Sequence, residues 1–211
     1  LKFLSKELYV NKKIFSYYEK LLKKMNVITL FSSHEGEEEL LMDCYETLSK
    51  KISNLLFIIV PRHVNRTKGI INELEKRKLS FTLRTQKQNT LKNKKFLIVN
   101  TFGELGCFFK LSKISLVGGS FENIGGHNPI ETRDFNCALI FGPHMQNFND
   151  IKDEILKNKA GFEVDDKKKL INKIVQLIND EKLNLQTTKN FKELCRKHSN
   201  RSKLLLKNLL K

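Results

Sequence analysis

Seven short apolar runs, separated by stretches of helical periodicity, leave this chain few folds to choose from. The runs are NVITLFSS (26–33), NLLFIIVP (54–61), LSFTLR (79–84), KFLIVN (95–100), ISLVGG (114–119), ALIFGP (138–143) and AGFEV (160–164), and each reads as a buried strand. Between them, residues 36–52 place Leu40, Cys44, Leu48 and Ile52 on one helical face, and residues 167–180 do the same with Leu170, Ile174 and Ile178. Such alternation requires a mainly parallel sheet covered by helices on both faces and joined by right-handed crossovers. The expected architecture is one Rossmann-like, doubly wound α/β domain over residues 26–180. A helical, basic connector at 1–25 precedes it and one or two basic helices at 181–211 follow it. No internal repeat or low-complexity linker interrupts the pattern.

The chain has 211 residues and a net charge of +16, which raises the question of nucleic acid. The distribution of that charge argues against it. Residues 181–211 carry nine Lys or Arg against two acids, whereas 96–150 carry three against five. Thirty-two of the 39 basic residues are Lys, while base-edge readout favours the Arg fork. No nucleic-acid partner is expected; a Lys-rich C-terminal helix resting on anionic lipid heads suits the pattern better. No run approaches the roughly 18 apolar residues of a membrane span. The first 20 residues lack the apolar core and small-residue site of a signal peptide. Cys44, Cys107, Cys137 and Cys195 lie far apart in apolar stretches, and read as reduced core thiols rather than disulfides or a zinc site.

Ligands of doubly wound sheets bind beyond the carboxyl ends of the strands, so the strand-to-helix junctions are where chemistry is sought. Three junctions share a pattern: Ser32-x-x-Glu35, Thr101-x-x-Glu104, and Asn128-Pro129-Ile130-Glu131. Each fits a capping box, with Pro129 suited to the first helical position, and capping alone accounts for any one of them. Capping does not account for the loop from Gly118 to His127, which holds four Gly in ten residues. That loop is expected to offer unpaired amides to a phosphate or sugar acid. Arg62, after the second strand, supplies a planar cation at the same sheet edge, or is a surface residue of the turn after Pro61. His34, His63, His127 and His144 all fall in post-strand loops. Their spacing matches no compact zinc site, so no metal is expected and polar contacts to a substrate fit better. No hydrolase motif and no cofactor signature is present.

The residues also carry a family resemblance. Ser32-Ser33-His34-Glu35-Gly36-Glu37-Glu38, Pro61-Arg62-His63, Gly103-Glu104-Leu105-Gly106, Val117-Gly118-Gly119-Ser120, Gly125 to Glu131, and Phe141-Gly142-Pro143-His144 with Asn147-Phe148 occur in this order. The set resembles the ordered motifs of bacterial 3-deoxy-D-manno-octulosonic acid (Kdo) transferases, from a linker-like Leu1-Lys2-Phe3 to about residue 180. That family consists of two-domain GT-B glycosyltransferases, which move Kdo from CMP-Kdo onto the lipid A precursor at the cytoplasmic face of the inner membrane. The similarity is to their C-terminal, donor-binding half.

The resemblance implies that Pro61 and Arg62, then Gly103, Glu104 and Leu105, then Asn128, Pro129, Ile130 and Glu131 contact CMP, with Glu131 on the ribose hydroxyls. Ser33, His34, Glu35, Gly125, Gly126 and His127 would shape the donor pocket. No catalytic residue is expected in this chain, because the family's acceptor domain and its proposed base would lie N-terminal of Leu1. Three positions depart from the family pattern: Asn100 stands where the family has Asp, Val64 where it has Pro, and Thr132 to Phe135 where it has small residues. Two other readings remain open: a remnant that folds and binds nucleotide without catalysis, and a basic module for nucleic acid or membrane.

Overall fold

The computed structural model describes residues 7–209, with side chains to residue 200. The linker-like Leu1-Lys2-Phe3 lies outside the described residues. All seven expected strands form: β1 (Asn26–Ser33), β2 (Leu55–Pro61), β3 (Phe81–Leu83), β4 (Phe96–Ile98), β5 (Ile114–Val117), β6 (Ala138–Phe141) and β7 (Phe162–Glu163). They make one parallel sheet in the order β3-β4-β2-β1-β5-β6-β7. The order in which successive strands are added reverses beside β1, which pairs with β2 on one side and β5 on the other. The crevice at such a reversal is where doubly wound sheets bind their ligands.

The strands read as near-continuous apolar runs because both faces are covered. Ile28 and Leu30 of β1, with Phe57 and Ile59 of β2, face α2 (Glu37–Ser49), α3 (Thr67–Lys76) and α6 (Lys167–Asn179). The alternate residues face the other layer. Val27, Leu56 and Ile58 pack with Tyr18 and Leu22 of α1 (Lys12–Leu22) and Phe108 of α4 (Leu105–Leu111). Phe31, Leu139 and Phe141 pack with Phe109 of α4, Ile151 and Ile155 of α5 (Asn149–Lys157), and Phe191, Leu194 and Cys195 of α7. The C-terminal segment is a single helix, α7 (Glu181–Leu209), and its first half is seated on the sheet. Cys44, Cys107, Cys137 and Cys195 are free and buried, as expected.

The capping expectation fails at two of the three junctions. At the first, α2 starts later than Ser32-x-x-Glu35 implies. Gly36, at φ 89°, is the cap, its N–H donates to Glu39 Oε2 at 2.8 Å, and Glu35 is left exposed. Only glycine adopts that backbone without strain. At the second, Glu104 is itself the residue before α4, and Thr101 Oγ1 donates to Glu104 Oε2 at 2.8 Å instead of capping a helix. The third holds in half. Asn128 Oδ1 accepts from Ile130 N at 3.1 Å and Pro129 opens a 3-10 turn, Pro129–Thr132, but Glu131 does not reach back to the cap.

Candidate functional site at the sheet reversal

The loops after β1 and β5 are tied together by one buried carboxylate. Glu37, 1% exposed, accepts from the backbone N–H groups of Gly119 (2.8 Å), Ser120 (3.1 Å), Phe121 (3.0 Å) and His34 (2.9 Å). Burial pushes its carboxyl upward, and those four N–H groups pull the other way. This corrects the expectation that the glycine-rich loop offers unpaired amides to an anion. The concave row of N–H groups exists, but the chain fills it with its own carboxylate. Gly119 sits at φ 69°, in the left-handed region, and its amide could not turn toward Glu37 with an ordinary side chain in place. Ser120 finishes the anchor: its Oγ donates to Val117 O and accepts from Gly142 N at 2.8 Å, which fixes the loop between β5 and β6.

A second buried carboxylate secures β1 to β2. Glu38 Oε1 accepts from Ser33 Oγ at 2.7 Å, and its two oxygens receive Arg66 Nη1 and Nη2 at 3.1 and 3.3 Å. Desolvation nonetheless carries the Glu38 carboxyl up to about 7, against the pull of Ser33 and Arg66. Ser33 O also accepts from Arg62 N at 3.1 Å, so the backbone of Arg62 is placed directly beside β1.

On this scaffold the expected histidines converge. His34 Nε2 and His127 Nε2 are 2.8 Å apart, with ring planes 3° from parallel, and the His63 ring stands edge-on to His34 at 6.4 Å between centroids. Burial lowers His127 to about 4, helped by the charges of His34, Arg62 and His63; His34 is lowered by burial and by Arg66, His63 and Arg62. Both rings are therefore neutral at pH 7, and one donates to the other. His144 stands apart, its Nδ1 3.4 Å from Gln146 Nε2. Among the described residues, no group of three His, Cys, Asp or Glu side chains is arranged to hold a metal ion.

Glu131 is mostly buried, accepts no hydrogen bond within the described residues, and is raised by desolvation while Arg62 lowers it. Arg62 is exposed and its side chain forms no ion pair among those residues. A cation, two neutral imidazoles and a carboxylate with unused lone pairs thus lie near enough at this sheet edge for the charge of Arg62 to act on the other three. That set suits an anionic group attached to a hydroxyl-bearing ring.

Other expected residues serve the scaffold. Pro61, Pro129 and Ile130 are buried, Ile130 in the core beneath α7, and Leu105 packs beside it. Glu104 is engaged by Arg84, with Nε and Nη2 at 2.7 and 3.0 Å. Gly125 and Gly126 are buried with positive φ, and Gly103 is exposed with φ 76°. Sequence reasoning assigned no role to Glu37, Glu38, Arg66 or Arg84. The Glu37-Glu38-Glu39 run at a helix start was the available signal, since acids there also complement the helix dipole.

No family model matches the chain. It is 32% identical over 206 residues to the 3-deoxy-D-manno-octulosonic acid transferase of Rickettsia bellii (strain RML369-C), covering 98% of this chain and 49% of that one. It is 35% identical over 179 residues to the transferase of the same name from Rickettsia prowazekii (strain Madrid E), covering 85% and 39%. The chain belongs to the Kdo transferase family. It spans half or less of the length of these two Kdo transferases. In fold it matches the crystal structure of the C-terminal CMP-Kdo binding domain of WaaA from Acinetobacter baumannii. The TM-score is 0.81 at 23% identity, covering 87% of this chain and 96% of that one. The two share one fold, a parallel sheet covered by helices on both faces.

Proposed function

We propose that this chain binds CMP-Kdo at the sheet reversal and is the donor-binding portion of a Kdo transferase that modifies the lipid A precursor in lipopolysaccharide assembly. The observation that carries the reading is the convergence of Arg62, the His34–His127 pair and the hydrogen-bond-free Glu131 at one crevice. In this role Arg62 meets the nucleotide phosphate and Glu131 accepts from the ribose hydroxyls, with His127 and the Gly125-Gly126 turn closing the pocket. Glu104, held by Arg84, fixes the Gly103 turn beside it. The acceptor and its general base belong to the portion of the Kdo transferases that this chain does not span, and no residue here is assigned as base. Peripheral contact with an anionic membrane through the Lys-rich α7 completes the reading; no described helix is long and apolar enough to cross a membrane.

Titration calorimetry with CMP tests it. Wild type binds CMP, and Glu131→Ala loses about 1–3 kcal/mol of affinity through the ribose contacts. Absence of CMP binding by the wild type would overturn the reading. Equal binding by the two proteins would remove Glu131 from the site.

A further inference from the structure

In a fully parallel sheet every strand starts at the same edge, and in this chain that edge is crowded with lysine. Lys23 and Lys24 precede β1, Lys50 and Lys51 precede β2, and Lys78 stands shortly before β3. Lys94 and Lys95 lead into β4, Lys113 into β5, and Lys159 lies between α5 and β7. All of these but Lys94 and Lys95 are exposed. Nearby acids are partly spent: Glu46 is engaged by Lys50 at 2.9 Å, and Glu73 by Lys76 and Arg77 at 3.5 Å. Glu75, Asp180 and Glu181 stand against the remaining excess. Part of the pattern is helix chemistry, since cations are favoured where α1, α2, α3 and α5 end. Helix ends do not account for β4, which no helix enters and which Lys92, Lys94 and Lys95 nonetheless precede.

The other half of the edge is covered by α7, which crosses the starts of β5, β6 and β7. Asn184 Nδ2 donates to Lys113 O at 3.0 Å, Lys192 Nζ to Asn136 Oδ1 at 2.7 Å, and Asn190 Nδ2 to Lys159 O at 3.0 Å. Each acceptor stands just before one of those three strands. The exposed Lys182, Lys189, Arg196 and Lys197 of α7 therefore continue the same basic rim. Its two halves meet where Lys113 Nζ donates to Asn26 Oδ1 at 2.8 Å, two residues from Lys24. Arg62 and the histidine pair lie at the opposite ends of the strands, about 26 Å away along the eight residues of β1.

Resting on the reading that α7 meets an anionic membrane, we propose that the whole amino edge of the sheet lies on anionic lipid headgroups, with α7 supplying only the side at β5 to β7. The ammonium of Lys is a point charge on a flexible stem, and it meets a plane of headgroups without a directed fork. Recognition of a polynucleotide favours Arg; Arg77 is the Arg beside β3, and Glu73 and Asp43 already engage it. Contact through this edge leaves the crevice at the opposite edge clear of lipid.

Co-sedimentation with vesicles tests the proposal, using phosphatidylcholine alone and equal parts phosphatidylcholine and phosphatidylglycerol. Wild type is compared with two variants that each lose four charges, and thermal midpoints are recorded for all. The rim variant carries Lys23→Gln, Lys24→Gln, Lys51→Gln and Lys78→Gln; the helix variant carries Lys182→Gln, Lys189→Gln, Arg196→Gln and Lys197→Gln. Wild type is expected to bind the mixed vesicles and not phosphatidylcholine alone. Both variants should bind the mixed vesicles roughly tenfold or more weakly, since each Lys or Arg near an anionic surface contributes about fivefold. If the rim variant unfolds, Lys23→Gln with Lys24→Gln alone should weaken binding in the same direction. A rim variant that binds like wild type, while the helix variant fails, overturns the proposal and leaves contact through α7 standing. A wild type that ignores the mixed vesicles removes the membrane reading and this proposal with it. Binding of duplex RNA that the rim variant loses, with vesicle binding unchanged, would assign the edge to nucleic acid and overturn the lipid contact.

Discussion

His34 and His127 lie 93 residues apart in sequence and meet at 2.8 Å between their Nε2 atoms, across the point where the strand order reverses. Two imidazoles share such a bond only while at least one is neutral, since two imidazolium rings would bring donor against donor. The pair is therefore a sensor of its own surroundings, kept uncharged by burial and by the positive charges of Arg62 and Arg66.

A defined pH signature results. The folded value of His127, about 4, lies below the ordinary 6.5, so the neutral ring contributes stability that is complete above pH 6.5 and is lost as pH falls toward 4. The full extent is about 3 kcal/mol. His127→Gln, which stays neutral throughout, should lose this dependence. The check is the difference in denaturant midpoints between wild type and variant from pH 7 to pH 4. A difference that stays constant with pH would show that the ring is not titrating in the folded protein.

Glu38 works with the opposite sign. Its folded value of about 7 lies above the ordinary 4.5, so the contribution is present below pH 4.5 and disappears as pH rises through 7. Stability of the wild type should consequently vary little between pH 4.5 and 6.5, where the two effects oppose each other. Glu38→Gln should expose the rising limb due to His127, and it removes the Arg66 ion pair that forms as Glu38 ionises toward pH 7. Chemical denaturation across that interval decides it, and a variant as flat as the wild type would refute the assignment.

Replacing Glu37 tests the internal anion. Gln presents an N–H₂ group where backbone N–H groups already point, so Glu37→Gln should cost about 2–4 kcal/mol in urea denaturation. It should also separate His34 from His127, visible as a rise in both imidazole pKa values by NMR, because the loops that carry them are joined through this carboxylate. A loss below about 1 kcal/mol with unchanged histidine titrations would mean that the amides find other acceptors.

The strands were legible because each is a compact apolar run, and compactness of that kind is a local property. Arg62, His34, His127 and Glu131 were legible as a group because strand ends of a doubly wound sheet share an edge. The caps were not, since Gly36 begins α2 only once Glu37 has been drawn to amides 82 to 84 residues away. The same holds for Arg66 and Arg84. In a chain with 39 basic residues, nothing local marks the two whose forks close on Glu38 and Glu104.

The position of β1 carries a consequence for synthesis. The innermost strand of the sheet is the first to be made, yet one of its two neighbours, β5, is encoded about 80 residues later. At a translation rate of about 5–20 residues per second, that edge of NVITLFSS waits roughly 4 to 16 s for its partner. An apolar edge unpaired for so long is open to pairing with other chains, and a product ending between Ser33 and Ile114 would be prone to aggregate.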